Sequence, residues 1–283
     1  MVLPVLVRRH CFEAQDVIRF PVGKAANLLR GGFGTSLRAV ASLATYERIF
    51  EPKSNGGPSG LADPPRPFLF RAWQLDGRDV AKHDDFEFDV HIFGDEAEIA
   101  PIITAALVHL FEKGAGVGRG RATLTACQDE RIEIRLLEPE TAERAKVKFI
   151  TPTELKHRGR VMMQPEFAIL IRRIRDRISA LMSLYGPGEM DLDFKLFGII
   201  ADQVRTVRAD IDLRDVARTS GRTGQTHQIG GMVGEAEYAG PLDCFIPFLR
   251  AAYYTGVGRH TVWGNGCIET EILTPGRVQA ISS

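Results

Sequence analysis

Apolar and polar residues alternate with two different periods along the chain, and these periods predict its secondary structure. In residues 86–92, Phe86, Phe88, Val90 and Ile92 occupy every second position, which is the pattern of a strand with one buried face. In residues 167–185 the apolar positions recur at steps of three and four, which is typical of a helix with one buried face. Four arginines lie off this apolar stripe, and we expect their face of the helix to be solvated or bound to a ligand: Arg172, Arg173, Arg175 and Arg177.

The same patterns divide the chain into two similar series of elements. The first half is predicted to contain a strand at 2–7, a helix at 24–50, a strand at 86–94, a helix at 99–113 and strands at 121–127 and 131–137. The second half is predicted to contain a strand at 146–151, a helix along 167–185, strands at 207–213 and 227–238, a helix at 242–254 and a strand at 267–273. The segment 51–67 is rich in proline and glycine and is expected to be a mobile loop. Each half approximates the ferredoxin-like order of strand, helix, strand, strand, helix, strand.

A short repeat supports a duplicated architecture. The tetrapeptide GVGR begins at Gly116 and again at Gly256, 140 residues later, and each copy follows a helical pattern and precedes a strand. Self-similarity at a spacing near half of the chain is typical of a duplicated domain. The predicted fold class is therefore α+β, with tandem ferredoxin-like, RRM-like domains at residues 1–143 and 144–283.

Composition narrows the class of protein. With 44% apolar and 25% charged residues, the chain has the composition of a soluble globular protein. The apolar run at residues 2–7 is too short for a membrane span or a signal peptide, and Arg8 follows it directly, so we expect a cytoplasmic protein with no membrane partner. The four cysteines are scattered and form no CxxC pair, which predicts neither a metal site nor disulfides.

The net charge of zero hides an uneven distribution of charge. Residues 144–177 contain ten lysines and arginines against three acidic residues, whereas residues 84–98 contain seven acidic residues and no lysine or arginine. Arginine pairs with phosphate through two hydrogen bonds and stacks on bases. The basic segment therefore keeps a nucleic-acid partner open, although the whole chain is neutral.

The second GVGR copy opens the stretch GVGRHTVWGNG at residues 256–266. In dinucleotide and P-loop sites the glycines follow a strand and open a helix, whereas here they follow a helix and lead into a strand, so neither kind of site is favoured. Two interpretations stay open. The glycines form a helix C-cap and a turn, or they let RNA approach the backbone, with Arg259 on phosphate and Trp263 stacked on a base.

Four stretches carry a family resemblance: NLLRGGFGTSLR at 27–38, FITPTELKHRGR at 149–160, GGMVGEAEYAG at 230–240 and GVGRHTVWGNG at 256–266. In this order they resemble the CRISPR-associated endoribonucleases of the RAMP superfamily that process precursor crRNA, the CRISPR-associated protein six family. The resemblance implies tandem ferredoxin-like domains that hold CRISPR repeat RNA in a basic cleft. It also implies cleavage without metal or cofactor, in which a 2′-hydroxyl attacks the adjacent phosphodiester and leaves a 2′,3′-cyclic phosphate and a 5′-hydroxyl.

The chain departs from the family pattern at Thr35, where relatives often carry a histidine. A threonine hydroxyl cannot act as a general base at neutral pH. The candidate catalytic residues are therefore His227, Tyr46 and Lys24, and Arg38 is a further candidate in a mechanism without histidine. Three other histidines lie in predicted strands or helices and are expected to be structural, and a fourth lies beside two aspartates: His10, His91, His109 and His83.

The residues expected to contact RNA lie in the four stretches of the resemblance and in the polar segment that precedes Gly230. They are Arg30, Arg38, Lys156, His157, Arg158, Arg218, Arg222, Gly256, Gly258, Arg259, His260 and Trp263. The expected partners are CRISPR repeat RNA or crRNA and other subunits of a CRISPR effector complex, and both a monomer and a homodimer stay open. Two alternatives to the enzyme are a non-cleaving crRNA-binding subunit and an RRM-like pair with no CRISPR role.

Overall fold

The computed structural model describes residues 1–52, 64–214, 217–219, 226–228 and 230–273, with side chains for all of these except 96, 97, 217–219 and 226–228. The predicted loop at 51–67 falls mostly outside these residues. The elements of the first half are β1 (Val2–Ala14), β2 (Ile18–Arg19), α1 (Ala25–Val40), α2 (Leu43–Phe50), β3 (Phe68–Arg71), β4 (Asp79–Val80), β5 (Asp85–Ile92), α3 (Glu96–Lys113) and β6 (Ala122–Arg135).

The second half repeats this series with additional short hairpins. Its elements are β7 (Arg144–Thr153), β8 (Lys156–His157), β9 (Arg160–Val161), α4 (Phe167–Tyr185), α5 (Phe194–Ala201), β10 (Arg205–Arg214), β11 (Ala217–Thr219), β12 (Thr226–Gln228), β13 (Gly231–Ala239), α6 (Ile246–Thr255) and β14 (Ile268–Ile272). A short 3₁₀ turn, Thr261–Trp263, interrupts the connection from α6 to β14.

The two halves form four-stranded antiparallel sheets with the same strand order. The first sheet runs β3-β5-β1-β6 and the second runs β10-β13-β7-β14. In both, the first long strand of the half pairs with the third and the last, which is the ferredoxin-like arrangement. The predicted fold class is thus confirmed. The predicted domain boundary after residue 143 stays a prediction, with β7 beginning at Arg144.

Several predicted elements differ from the observed ones for local reasons. The predicted helix at 24–50 is two helices, because the Ser42 side chain accepts a hydrogen bond from the Thr45 N–H and starts α2 afresh. The two strands predicted at 121–137 are one continuous strand, β6, which pairs with β1 along its whole length. Helix α5 and strand β3 were not predicted, and both are only four to eight residues long.

The two halves share their hydrophobic cores. The core of the second half includes residues from the sheet of the first half, among them Leu3, Val5 and Leu69, packed with helices α4 and α6. The core of the first half in turn includes Val262, which follows α6. Because each core needs side chains from the other half, the relative position of the halves is fixed by packing.

A buried arginine and a buried histidine of the first half cap the last turn of α6. Arg71 donates two hydrogen bonds to the carbonyl oxygen of Tyr253, at 3.2 and 2.6 Å, and His91 Nδ1 donates to the carbonyl oxygen of Tyr254 at 2.9 Å. Burial, with the charge of Arg71 nearby, lowers the pKa of His91 to about 3, so this imidazole is neutral at pH 7. These contacts satisfy carbonyls that have no partner within the helix, and Arg71 places positive charge at the negative end of its dipole.

The arginines of α4 also contact protein rather than an open surface. Arg172 pairs with Asp202 at 2.7 Å and Arg177 donates to the carbonyl oxygen of Thr255. Arg173 donates to the carbonyl oxygen of Lys156 at 2.9 Å. These bonds hold neighbouring elements in place around α4. The sequence pattern predicts a solvated or ligand-bound face for these arginines, whereas in the structure they bind other parts of the chain. Among the described residues, no helix combines the length and apolar character needed to cross a membrane.

A cavity-forming substitution tests the shared core. Leu69 lies on β3 of the first half and is fully buried in the core of the second half. We expect Leu69→Ala to lower the free energy of unfolding by about 2–5 kcal/mol, with one cooperative transition in urea, since both halves lose the same contacts. Leu43→Ala, at a leucine that is 61% exposed, is the matched control and should change stability by less than about 0.5 kcal/mol. Two separate transitions in the wild-type protein would contradict a shared core.

Candidate nucleic-acid interface

The glycine-rich loop, residues 256–266, lies between the two halves. It begins at the C-cap of α6, carries the 3₁₀ turn Thr261–Trp263 and ends before β14. Its turn packs against α1 and β3 of the first half. On the other side, the Gly266 N–H donates to the carbonyl oxygen of Pro152, and the Arg259 N–H donates to that of Glu154, at 3.0 and 3.1 Å. The loop is therefore bonded to the second half and packed on the first.

Glu154 fixes the exposed part of this loop. Its side chain is only 9% exposed. One carboxylate oxygen lies 2.8 Å from a guanidinium nitrogen of Arg259, and the other lies 3.8 Å from Nε2 of His260. A buried carboxylate needs such charged or hydrogen-bonding partners, because burial without them costs several kcal/mol. Glu154 thus holds Arg259 in place and lies close to the imidazole of His260.

Two glycines of the loop lie too close to backbone carbonyl oxygens of the same chain to carry a side chain. Gly256, Gly258, Gly264 and Gly266 all have positive φ angles, between 71° and 89°. A methyl group on Gly258 would overlap the carbonyl oxygen of Glu154, and one on Gly266 would overlap that of Val257. The close approach that removes side chains here is therefore made within the chain. Contact of Gly256 and Gly258 with RNA stays a prediction.

Aromatic rings and guanidinium groups continue from the loop onto α1. The rings of His260 and Trp263 stack with centroids 4.5 Å apart and an interplanar angle of 8°. The guanidinium carbon of Arg30 lies 5.5 Å from the Trp263 ring centroid and 4.6 Å from that of Phe50. Cations at these distances from a ring face are attracted by its quadrupole. Arg30 therefore joins the loop to the first half.

The same alternation extends along α1 and α2. The ring of Phe50 stacks on that of Tyr46 at 5.5 Å, and the guanidinium carbon of Arg38 lies 5.5 Å from the Tyr46 ring. We call this contiguous series the aromatic–arginine array; its members are His260, Trp263, Arg30, Phe50, Tyr46 and Arg38. Thr35 is exposed on α1, on the helix that carries both arginines of the array.

Tyr46 and Lys24 have environments that bear on their predicted catalytic roles. Tyr46 is buried, and its hydroxyl donates to a carboxylate oxygen of Glu51 at 3.3 Å. Burial and the neighbouring carboxylate raise the pKa of this phenol. The raised pKa disfavours the phenolate, which is the form that could act as a general base. Lys24 is half-buried at the N-cap of α1, next to the Ala25 N–H that donates to Asp76 at 2.8 Å. Of the two, Tyr46 belongs to the array and Lys24 does not.

A basic hairpin adjoins the loop. Strands β8 and β9 follow Glu154 after one residue and pair with each other through Lys156 and His157. Arg158 is exposed at the tip of the hairpin with φ at 48°. Glu154, which pairs with Arg259 of the loop, lies two residues before the hairpin begins. Contact of Lys156, His157 and Arg158 with phosphate stays a prediction.

The remaining histidines and arginines of the prediction divide into two groups. His10, like His91, is buried, and burial lowers the pKa of His10 to about 4; His83 lies 3.2 Å from Glu13. The other group lies outside the described side chains. Arg218 and His227 pair through the backbone of β11 and β12, but their side chains lie outside the described part of the chain, and Arg222 lies outside it altogether.

The open face of the second sheet has a different character from the array. RRM-like domains commonly stack bases on such a face. Here its side chains are paired ions: Lys146 lies 3.0 Å from Glu271, and Arg144 lies 3.2 Å from Glu237. Lys146 and Glu271 border a cavity of about 630 Å³, and its wall also includes Glu235 and Glu269 together with Lys148 and Arg250. The carboxylates oppose a phosphate backbone there, so the loop, array and hairpin are the better candidate for RNA.

Comparison with known protein families finds a match for each half of the chain. Residues 147–268 match the family model described as CRISPR-associated endoribonuclease Cas6, and residues 3–147 match the model AF_1859_N, described as an N-terminal domain. Over residues 147–268 the chain is therefore similar to the Cas6 family. The two matched segments cover both sheets and the glycine-rich loop. No curated protein sequence matches the chain.

Solved structures of Cas6 proteins share the fold over nearly the whole chain. Thermus thermophilus Cas6 is 16% identical, with a TM-score of 0.60 over 96% of this chain and 99% of that chain. A Cas6 product complex is 17% identical, with a TM-score of 0.60 over 95% of this chain and 99% of that one. A Cas6 substrate mimic complex is 18% identical, with a TM-score of 0.55 over 95% and 100%. At these identities the likeness concerns the fold.

Sequence reasoning missed two residues of the interface. Glu154 lies in the stretch FITPTELKHRGR, where a single acid in a basic segment does not by itself indicate a site residue. Phe50 was assigned to the end of a single long helix, and only the break at Ser42 lets α2 turn it toward Arg30. An isolated carboxylate among cations was the available signal for the first. The second needed tertiary structure.

Two glycine substitutions test the account of the loop. Gly266→Ala places a methyl group against the carbonyl oxygen of Val257 at a φ of 71°, and we expect it to lower the free energy of unfolding by about 3 kcal/mol or more. Gly31 lies in α1 with nothing within 4 Å of an added Cβ, so Gly31→Ala should raise that free energy by about 0.5–1 kcal/mol. Urea denaturation measures both. A Gly266→Ala protein as stable as the wild type would show that this glycine serves something other than internal packing.

Proposed function

We propose that this protein is an endoribonuclease of the Cas6 family that cuts CRISPR repeat RNA to produce mature crRNA. Cleavage proceeds without metal and leaves a 2′,3′-cyclic phosphate and a 5′-hydroxyl. The family match supports RNA processing, and related structures described as product and substrate mimic complexes of Cas6 support an RNA ligand. The observation that carries the proposal for this chain is the aromatic–arginine array beside a cationic loop and hairpin.

The array offers the two kinds of contact that single-stranded RNA needs. Arg30 and Arg38 on α1, with Arg259 and the hairpin cations, supply donors for phosphate oxygens. The stacked rings of His260 and Trp263 supply a flat surface for a base. The exposed acids of the sheet faces lie elsewhere, which favours one path for the RNA, along α1 and across the loop.

The reaction needs proton transfer at two oxygens. A base removes the proton of the attacking 2′-hydroxyl, an acid protonates the leaving 5′-oxygen, and nearby cations stabilise the charged phosphorane. Among the described histidines, His260 is the one in the array, with its side chain 15% exposed and Glu154 orienting it from 3.8 Å. We assign it one of these transfers. His227 remains the candidate for the other, and Lys24 is a reserve candidate that lies outside the array.

One observation favours the second function, a non-cleaving crRNA-binding subunit. The exposed face of α1 carries Thr35, and the hydroxyl of Tyr46 on α2 is bonded to Glu51, so neither residue provides a base. Such a protein would use the same array to hold RNA without cutting it. A similar structure is described as a partial Cas6-RT-Cas1–Cas2 complex, and the match covers 46% of the chain compared. Further protein partners are part of either proposal. A cytoplasmic location stays a prediction.

A cleavage assay in EDTA separates the two functions. The repeat RNA of the same genome is incubated with wild-type protein, and we expect products with cyclic-phosphate ends. His260→Ala and His227→Ala should each slow cleavage by about 10²-fold or more, because each removes a proton-transfer group. Tyr46→Phe should leave the rate nearly unchanged, since its hydroxyl is engaged with Glu51. His83→Ala, at an exposed imidazole beside Glu13, is the matched control.

Binding measurements interpret a negative result. If RNA stays intact with and without added metal while binding is tight, repeat-specific and weakened by salt, the non-cleaving subunit is correct. If the protein binds unrelated single strands as well as the repeat, the CRISPR role itself is wrong. If cleavage occurs but His260→Ala cleaves as fast as wild type, the array binds RNA without contributing the acid or base.

A further inference from the structure

The last turn of α6 has all of its carbonyl groups satisfied by the protein itself. The last four carbonyls of a helix have no partner within it, and they bond to water or to a capping group. Here the first of them, on Ala252, accepts the Gly256 N–H. Side chains satisfy the other three: Arg71 donates to Tyr253, His91 to Tyr254 and Arg177 to Thr255. We call Arg71, His91 and Arg177 the α6 clamp.

The clamp joins both halves of the molecule at the start of the glycine-rich loop. Arg71 and His91 lie on β3 and β5 of the first sheet, whereas Arg177 lies on α4 of the second half. The loop begins at Gly256, and a methyl carbon on this glycine would lie 3.6 Å from Nη2 of Arg71. The strand that carries Arg71, β3, also packs against the 3₁₀ turn of the loop. The same strand therefore contacts the loop at its first residue and at its turn.

The clamp is a costly way to cap a helix. Nη1 of Arg71 and Nη2 of Arg177 are buried, and neither has a hydrogen-bond partner among the described residues. Both arginines bond to carbonyl oxygens, and neither has a carboxylate partner in the described part of the chain. Burial and the charge of Arg71 lower the pKa of Arg177 to about 9, well below the usual range of arginine. Unpaired buried donors and like charges cost free energy, and features that break the rules of stability are expected at functional sites.

We infer that the α6 clamp positions the glycine-rich loop, with Arg71 and Arg177 as positioning residues. The two guanidinium groups fix the end of α6 relative to both halves, and thereby the direction in which Gly256 leaves the helix. The cation and the stacked rings of the loop follow a few residues later, so a shift at the helix end moves them relative to Arg30 on α1. A ligand that spans the loop and α1 then loses contacts. That this ligand is RNA rests on the proposed function, whereas the positioning of the loop does not.

Hydrogen exchange of the protein without RNA tests the clamp directly. Arg177→Met replaces the guanidinium group with an apolar side chain and removes one donor to the end of α6. We expect faster exchange at the amides of residues 257–266, because the loop can then leave α6 in more than one direction, with the exchange of β13 unchanged. Arg172→Met is the matched control. Arg172 lies on the same helix but pairs with Asp202, so the exchange of the loop should stay as in the wild type.

RNA affinity measures the consequence of the same substitutions. The ligand is repeat RNA with methylated 2′-hydroxyls, which lacks the attacking group and stays intact. Arg177→Met and Arg71→Met should each raise the Kd by about 10-fold or more, since small displacements of binding groups carry large penalties. Arg177→Lys keeps a charge and a donor and should lie between Arg177→Met and the wild type, and Arg172→Met should bind as the wild type does. The urea midpoint of Arg177→Met should stay near that of the wild type, because the substitution also removes an unpaired buried charge.

A purely structural role predicts the opposite pattern, namely a lower urea midpoint with unchanged affinity of the folded protein, and that result overturns the inference. So does exchange of the loop that is the same in Arg177→Met and the wild type, or an equal loss of affinity in Arg172→Met. Faster exchange of the loop with unchanged RNA affinity overturns the role of the clamp in binding. A wild-type protein that binds no repeat RNA contradicts the proposed function instead, and the exchange at residues 257–266 then decides the clamp by itself.

Discussion

The fold depends on how tightly the glycine-rich loop is held between its two halves. Glu154, almost fully buried, pairs with Arg259 and lies close to His260, while its carbonyl oxygen accepts the Arg259 N–H. Gly258 and Gly266 pass so near neighbouring carbonyl oxygens that no side chain fits. With Val262 inserted into the core of the first half, the loop connects two sheets that already share side chains. A cationic loop on a rigid joint is the kind of support that a precisely placed site needs.

Positive charge lies near this loop, although the chain as a whole is neutral. The sheet faces carry acids paired with lysine and arginine. Arginines of α4 form ion pairs and hydrogen bonds with neighbouring elements. Arg30 and Arg38 on α1 lie over the rings of the array. Arg259 in the loop and the hairpin that follows Glu154 add further cations. A phosphate backbone is attracted to this side of the molecule and opposed by the acidic faces, so a net charge of zero is compatible with an RNA partner.

The sequence predicted the repeated ferredoxin-like order because long periodic segments, such as residues 167–185, record which face is buried. It could not predict the break at Ser42, since a single hydroxyl cap decides it, nor the placement of Phe50 beside Arg30. The glycines were recognised, but a glycine pattern does not reveal whether a ligand or the chain's own carbonyl is the close neighbour. The burial of Tyr46 against Glu51 is likewise a tertiary effect. Candidate base His227 remains a prediction.

Hydrogen exchange with and without RNA tests the central claim most directly, namely that RNA lies on α1, the glycine-rich loop and the β8–β9 hairpin. The ligand is the repeat RNA with every 2′-hydroxyl methylated, which removes the attacking group. The account predicts slower exchange on adding RNA at the amides of these three segments, with the strands β7, β13 and β14 unchanged. Protection of those strands with no change at residues 256–266 would contradict it and place the RNA on the open sheet face.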